Sequence, residues 1–511
     1  MNNVLQRIKQ VVDQQSDLPC IVSEGNSWSY GEMWENAARF AAYVTQQGIR
    51  KGDRIALVCD NSAYYVAAFY GTLLAGAVVV PMNTSSKIRD FNNWFEHCAA
   101  RMAVVDFIPR ELRKLLDTPA PTQLFAIDTD LKQPLTKQQQ ERICGTWSEV
   151  ESCQPLANHA TIAGSDLACI IYTSGTTGNP KGVMINHQNL SANISSILEV
   201  LPIRPGDAFL NVLPFYYSYG NSVLHSSICA GATLYLENST MYPNRILEKL
   251  QTLEIAGFAG VPSTYALLMA RGKVSEYNLS RLKFSLQAGG AMPTPLIQEV
   301  REQFGGELYV MYGQTEATAR LTCLPPADLD QKLGSVGLPI PGVEIKIVHD
   351  DGRECMPGEI GEVLARGDNI SPGYWHNPNA TAATFQDGWL RTGDLGHKDQ
   401  EGYLYLEGRR SDMIKSGANR ISPLEIEEVI SELPEIEEVA VAGHPDELLG
   451  QTVAAFVVIK PGHSLDHKAL KRHCLENLAS YKIPKSIHEL QALPKTASGK
   501  VKKHLLIEEL S

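Results

Sequence analysis

Ten cysteines are scattered from Cys20 to Cys474, and no two stand in a CxxC spacing. That absence removes the usual sequence sign of a zinc cage or a redox pair and leaves free thiols in a reducing compartment as the expectation. Long runs of one charge are missing too, so no acidic or basic tail is expected. The net charge is −12, from 45 Lys and Arg against 57 Asp and Glu. Such a balance speaks against a nucleic-acid binder working through a generally basic surface. Internal repeats and low-complexity tracts are absent. The opening residues, MNNVLQRIKQVVDQQ, read as an amphipathic helix and lack the apolar core and small-residue cleavage site of a secretory signal. One uncharged stretch, Asn61 to Ser86, is long enough for a bilayer. Its polar side chains, Gly76 and Pro81 favour a buried helix over about residues 62–74 followed by the strand AVVVP. A soluble, cytoplasmic protein without a membrane span is expected.

What is present is an ordinary globular composition, 44% hydrophobic over 511 residues, enough for two to four structural units. The first 110 residues alternate helices with strands such as RIALVC and MAVVDF, which predicts parallel strands with crossover helices. The alternation returns between Ala168 and Val310 in LACIIY, AFLNVLP, ATLYLE, IAGFAGVP and ELYVMYG. From about Gly334 to Leu406 short Gly- and Pro-rich strands suggest a β-rich appendage or small barrel. Behind the charged connector GRRSD lies a small α+β domain, its first helix started by Ser422 as cap, Pro423, and Glu425 closing a capping box. One covalent connection leaves this domain free to move as a body.

The segment YTSGTTGNPKG, Tyr172 to Gly182, follows an apolar strand with glycines, hydroxyls and one lysine. Glycines let backbone N–H groups converge on an anion, hydroxyls add donors, and a lysine adds charge, so it reads either as a phosphate cradle or as a flexible surface turn. The GxxxxGK[ST] pattern does not fit, because Pro180 falls where glycine is needed and Gly182 where Ser or Thr would hold magnesium.

Five further segments stand in order: GGAMP (289–293), YGQTE (312–316), TGD (392–394), GRRSDMIKSGANRISPLEIE (408–427) and PKTASGKV (494–501). With YTSGTTGNPKGVM, the set closely resembles the signatures of the adenylate-forming superfamily: acyl-CoA synthetases, adenylation domains of nonribosomal peptide synthetases, and beetle luciferases. The resemblance spans nearly the whole chain and implies an α/β fold. Its large N-terminal domain (1–408) would hold two α/β subdomains plus a small β-barrel-like part; a hinge (409–412) and a mobile α+β lid (413–511) would follow. It implies a two-step reaction, in which a carboxylate attacks the α-phosphate of ATP to give an acyl-adenylate and pyrophosphate, and a thiol then takes the acyl group. Positioned cations and backbone donors would neutralise the repulsion between the two anions.

By the same resemblance, Thr173, Ser174, Gly175, Thr176, Thr177, Gly178 and Lys181 would surround the β- and γ-phosphates. Glu316 would hold Mg2+, and Thr315 would bond the α-phosphate. Gly289, Gly290 and Ala291, with Tyr312, Gly313 and Gln314, would form the adenine slot. Asp394 and Arg409 would hold the ribose, and Lys415 would stand with the nucleotide. Lys500 would bridge carboxylate and α-phosphate while the adenylate forms. Tyr216, Tyr217, Val261, Gly289 and Gly313 would line the acyl pocket. Tyr217 falls where amino-acid-activating relatives place Asp, so a carboxylic acid without an α-amine is expected, since a buried ammonium would lack a partner. Gly417, Ala418 and Arg420 would face the incoming thiol after the lid turns. Two positions depart from the pattern: Ser411 replaces the usual Asp or Lys pivot, and Ala418 a glycine at the thiol passage. The thiol would be coenzyme A or the phosphopantetheine of a separate acyl or peptidyl carrier protein, since no carrier segment follows Lys500. A luciferase-like oxidase and a non-catalytic nucleotide-binding protein are the other readings.

Overall fold

The structure, a computed structural model, describes residues 3–508 apart from 24–25, 108–111, 119–121, 128–134, 158, 174–180, 417–418, 447–448 and 497–498, and leaves the side chain of 420 aside. Two large sheets and one smaller sheet organise the chain. The first has a parallel core of Leu167–Thr173, Val78–Pro81, Arg54–Val58, Ala100–Val105, Gln123–Ala126 and Ile143–Thr146. At its Leu167–Thr173 edge the chain turns back as the antiparallel strand Lys181–Asn186, which in turn pairs with Gly373–Tyr374.

The second sheet has a parallel core of Pro19–Ser23, Thr233–Leu236, Ala208–Asn211, Gly257–Gly260, Phe284–Gln287 and Glu307–Tyr312. Thr322–Leu324 adds an antiparallel strand, and the β-rich region expected from about Gly334 continues the sheet through the antiparallel strands Ser335–Pro339, Leu404–Arg409, Trp389–Lys398, Gly361–Gly367 and Val343–Val348. The two α/β parts do not divide the chain into consecutive halves. The strand within LACIIY joins the first sheet, and Pro19–Ser23 crosses to pair in parallel with Thr233–Leu236 of the second.

One apolar cluster contains residues of both sheets and of the helices Tyr30–Gln46, Ala63–Leu74 and Ser218–Ala230. Local chemistry sets these helices. Ser29 and Glu32 form a reciprocal capping box, and Ser62 caps the next helix by accepting from Tyr65 N at 3.1 Å. Helix Ala63–Leu74 is apolar on every side and correspondingly buried on every side. It explains the uncharged stretch, and among the described residues no helix is long and apolar enough to cross a membrane.

The small domain follows Arg409. Its sheet combines Asn419–Ile421, Ile414–Ser416, Gly450–Ile459 and Ile436–Asp446, with Ser486–Leu490 parallel to Gly450–Ile459. Ser422 caps helix Pro423–Ser431 as expected, but the reciprocal half of the box does not form. The Glu425 carboxylate takes the Lys482 ammonium at 2.5 Å instead, a charged partner that outcompetes a backbone N–H.

Candidate active site

The parallel strands Gly257–Gly260, Phe284–Gln287 and Glu307–Tyr312 lie side by side, so the loops leaving their carboxyl ends adjoin, the usual place for a ligand crevice in an α/β sheet. Gly289 has φ +90°, and a Cβ there would stand 3.1 Å from Val261 Cγ1 and 3.7 Å from the Tyr219 ring. Gln287 Nε2 donates to the Gly290 carbonyl at 2.7 Å and fixes the loop, leaving Gly290 and Ala291 exposed. At Gly313 a Cβ would fall 1.7 Å from the Ala319 carbonyl oxygen, so only glycine lets this loop close. Next to it the Gln314 amide nitrogen is buried with no hydrogen-bond partner, and Thr315 Oγ1 donates to Ser218 Oγ at 3.1 Å.

Asp394 anchors the charged part of the site. It is buried, accepts from Tyr312 Oη at 2.5 Å through one carboxylate oxygen, and meets Arg409 Nε at 2.9 Å through the other. Burial raises the Asp394 pKa, while Arg409, Tyr312 and Lys500 act against that rise. Arg409 also donates to the Thr392 carbonyl at 2.9 Å. Glu316 accepts from Tyr374 Oη at 2.8 Å through one oxygen, and no described residue takes the other. The Lys181 ammonium lies 5.0 Å from the centroid of that same Tyr374 ring. Tyr374 thereby links Lys181 of the first sheet to Glu316 on the short 3-10 turn Thr315–Ala317 that follows strand Glu307–Tyr312 of the second.

Ser174, Gly175, Thr176, Thr177 and Gly178 lie outside the described residues. The structure does place the ends of their loop: Thr173 and Lys181 are paired across an antiparallel hairpin, with Thr173 Oγ1 donating to the Lys181 carbonyl at 3.4 Å. The lysine thus opens a strand, where a P-loop would open a helix.

The small domain is docked on this cluster. Gly499, at φ +80°, packs so closely that a Cβ would stand 2.6 Å from Ser263 Oγ and 3.2 Å from Val261 Cγ2. Glu428 accepts from the Thr294 backbone N–H at 2.9 Å, and Arg271 meets Glu437 at 3.4 Å. Lys500 follows Gly499 and keeps solvent access. Desolvation by the surrounding protein lowers its pKa and Arg409 adds to the effect, whereas Asp394 and Glu316 favour the charged form. Lys500 therefore acts electrostatically within the Asp394, Arg409 and Glu316 group.

The remaining candidates are spread more widely. Tyr216 is buried with its ring centroid 4.7 Å from that of Tyr217, whose hydroxyl accepts from Asn83 Nδ2 at 3.3 Å. Lys415 is exposed on a strand of the small domain, and no described contact joins its side chain to the cluster. Gly417 and Ala418 lie outside the described residues, and Arg420 is placed only as part of strand Asn419–Ile421. Three residues of the site escaped the sequence reading. Tyr219 touches the Gly289 loop, Tyr374 bridges Lys181 and Glu316, and Arg320 lies with its guanidinium 4.1 Å from the Tyr219 ring centroid. Tyr219 lies two residues after Tyr217 and Arg320 four residues after Glu316, beside positions the sequence marks; Tyr374 carries no such signal.

Comparison with known proteins agrees with this arrangement. The family model for AMP-binding enzyme matches residues 8–375, and that for the AMP-binding enzyme C-terminal domain matches residues 425–500. A long-chain-fatty-acid–CoA ligase of Bacillus subtilis is 31% identical, over 96% of this chain and 92% of its own length. An indoleacetate–CoA ligase of Aromatoleum aromaticum is 32% identical, over 93% and 92%. Among solved structures, an anthranilate CoA ligase in complex with anthranoyl-AMP superposes with a TM-score of 0.90 at 27% identity, covering 99% of this chain and 97% of that one. An o-succinylbenzoate coenzyme A synthetase from Bacillus subtilis, in complex with ATP and magnesium ion, gives 0.83 at 29% identity, covering 98% of each. With both family models matched in order and the relatives aligned end to end, the chain belongs to the AMP-binding enzyme family, the adenylate-forming superfamily, close to its acyl-CoA ligases.

Proposed function

We propose that the chain is an ATP-dependent acid–CoA ligase working through an acyl-adenylate. The observation that carries the reading is the convergence of Lys500, from the small domain, with Asp394, Arg409 and Glu316 of the large one. In the first step a carboxylate oxygen attacks the α-phosphorus, its bond to the pyrophosphate oxygen breaks, and pyrophosphate leaves with that electron pair. On this reading Lys500 bridges the two reacting anions and lowers their repulsion in the transition state. Asp394, fixed by Tyr312 and Arg409, presents acceptor oxygens for ribose hydroxyls. Lys181, with the hydroxyl-rich loop beside it, serves the β- and γ-phosphates.

The second oxygen of Glu316 fits a hard divalent cation, which when bound supplies charge neutralisation on the triphosphate. In the second step the coenzyme A thiol gives up its proton to solvent and its sulfur attacks the acyl carbon; the bond from that carbon to the phosphate oxygen breaks, and AMP leaves with the electron pair. The acceptor is coenzyme A, and a carrier protein is not favoured, since the matched relatives are CoA ligases. For this step the domain after the Arg409–Asp412 hinge turns and withdraws Lys500. Ser411 suits that pivot: Asp412 N donates to the Arg409 carbonyl at 3.0 Å, closing a tight turn around it. The acid is a carboxylic acid without an α-amine, because Tyr217 stands where amino-acid-activating relatives place a carboxylate, and Asp60, the carboxylate that acts on Tyr216, already accepts from the Thr84 hydroxyl at 2.8 Å. A pyrophosphate-release assay over a panel of acids, with and without coenzyme A, tests the reading. Magnesium-dependent release with non-amino acids and thioester formed only with coenzyme A are expected; release with amino acids alone contradicts it.

A further inference from the structure

Among the described residues, buried charges are matched with one exception. Asp207 pairs with Lys283, Glu237 with Lys249 and Arg245, Glu362 with Arg391 and Arg410, and Asp394 with Arg409. Arg320, only 3% exposed, has no carboxylate within reach among the described residues. Its backbone is fully used, accepting from Asn193 Nδ2 and Asn369 Nδ2 and donating to Asn193 Oδ1. Its guanidinium is not. Nε points at the Met311 sulfur at 3.4 Å, a weak acceptor, and neither terminal nitrogen has a described hydrogen-bond partner. Leaving a buried cation without a counter-ion is costly, and proteins keep one where something else supplies the charge.

The location of Arg320 says what that is. Its guanidinium stacks on Tyr219, whose ring also faces the Gly289 loop beside Val261, and Val261 in turn touches the Gly499–Lys500 turn. Arg320 is thus one aromatic ring away from the loop at which the acyl group must lie. We propose that Arg320 is a specificity-determining residue that receives an anionic group at the far end of the acyl substrate, so that the acid activated here is a dicarboxylic acid or another acid with a second negative charge. The inference rests on the ligase reading above and names its substrate class. The planar, five-donor guanidinium suits a second carboxylate bidentately, and the reacting carboxylate remains with Lys500 at the other end.

The test is a set of matched acids: for each chain length from succinate to suberate, the dicarboxylate, the ω-hydroxy acid and the plain monocarboxylate, with aryl acids bearing or lacking a second carboxylate. Pyrophosphate release with wild-type protein is expected to favour the dicarboxylate of the best length by about 10²-fold in kcat/KM, because the monocarboxylate leaves Arg320 unpaired. Arg320→Met should abolish that preference and favour the monocarboxylate, while Arg320→Lys, which keeps the charge but loses the bidentate fork, should keep only part of it. The change should fall on the ratio between acids and leave the KM for ATP unmoved. Equal use of dicarboxylate and monocarboxylate by the wild type overturns the proposal with the ligase reading intact, and needs no variant to fold. A preference for the ω-hydroxy acid also overturns it, since Arg320 would then meet a neutral acceptor. No pyrophosphate release with any acid removes the ligase reading itself, and this proposal with it.

Discussion

At the residue scale the site is a problem in charge placement, and Lys500 is where it is sharpest. Lys500→Ala should slow pyrophosphate release about 10²-fold or more, since a preorganised cation acts mainly in the transition state. Thioester formation from supplied acyl-adenylate should be largely spared, because that step takes place with Lys500 withdrawn. Equal damage to both halves would refute the division of labour. The useful form of Lys500 is the ammonium, whose pKa lies below its ordinary 10.5 through desolvation and Arg409. Rate must therefore fall as pH rises through that lowered value, giving an alkaline limb in kcat earlier than an ordinary lysine would. Asp394 favours the charged form, so Asp394→Asn should move the limb further toward neutrality at saturating ATP; an unmoved limb would separate the two groups. Tyr312→Phe removes a donor to a buried carboxylate and should cost about 2 kcal/mol in thermal unfolding, with a raised KM for ATP. The signatures made Asp394, Arg409, Glu316 and Lys500 legible because each sits in a segment whose residue types the chemistry demands. Tyr374 was not legible: its role arises from the pairing of Gly373–Tyr374 with Lys181–Asn186, about two hundred residues away in sequence.

Among elements, the docked contact between the two domains has a specific chemical form. Helix Thr294–Phe304 starts at Pro293 and has no side-chain cap of its own. The Glu428 carboxylate, from helix Pro423–Ser431, accepts from its first backbone N–H and supplies the missing cap and a favourable charge at the helix start. The cap exists only while the small domain is docked. A cap is worth about 1 kcal/mol, so Glu428→Ala should reduce the docked population and slow pyrophosphate release about fivefold. Thioester formation from supplied acyl-adenylate should not change, and a deficit in both steps would assign Glu428 to folding instead. Element starts were readable because caps are local: Ser62 and Ser422 each begin a helix where the sequence suggests. Strand partners were less so. Pro19–Ser23 pairs with Thr233–Leu236, and nothing in either run names the other, since each is simply an apolar segment able to fill a buried position.

The whole molecule is built so that two reactions can share one set of loops. The apolar clusters of the small domain are made only of its own residues, Ile414 to Leu478 in one and Ala440 to Leu506 in the other. Among the described residues its contacts with the large domain are polar or slight: the Glu428 cap, the Arg271–Glu437 ion pair, Ser422 Oγ donating to the Glu407 carbonyl, Leu424 beside Gly408, and the glycine turn against Ser263. Surfaces of that kind separate at small cost, whereas a shared apolar core would weld the domains together. The first half of the connector is held firmly, since Arg410 pairs with Glu362 at 3.1 Å and Asp350 at 2.8 Å and its N–H donates to the Gly393 carbonyl. Freedom therefore begins at Ser411. A chain ended after Arg410 should keep the large domain's cores, unfold cooperatively and bind ATP through Asp394, Tyr312 and Arg409, yet release pyrophosphate at least about 10²-fold more slowly for want of Lys500. Adding residues 411–511 as a separate chain should restore part of the rate in a concentration-dependent way, because the interface that positions Lys500 is intact on both pieces. Full activity in the shortened chain would place the bridging cation elsewhere. Loss of ATP binding in a folded fragment would mean that the two domains build the nucleotide site together, and that the small one does more than carry a lysine in and out.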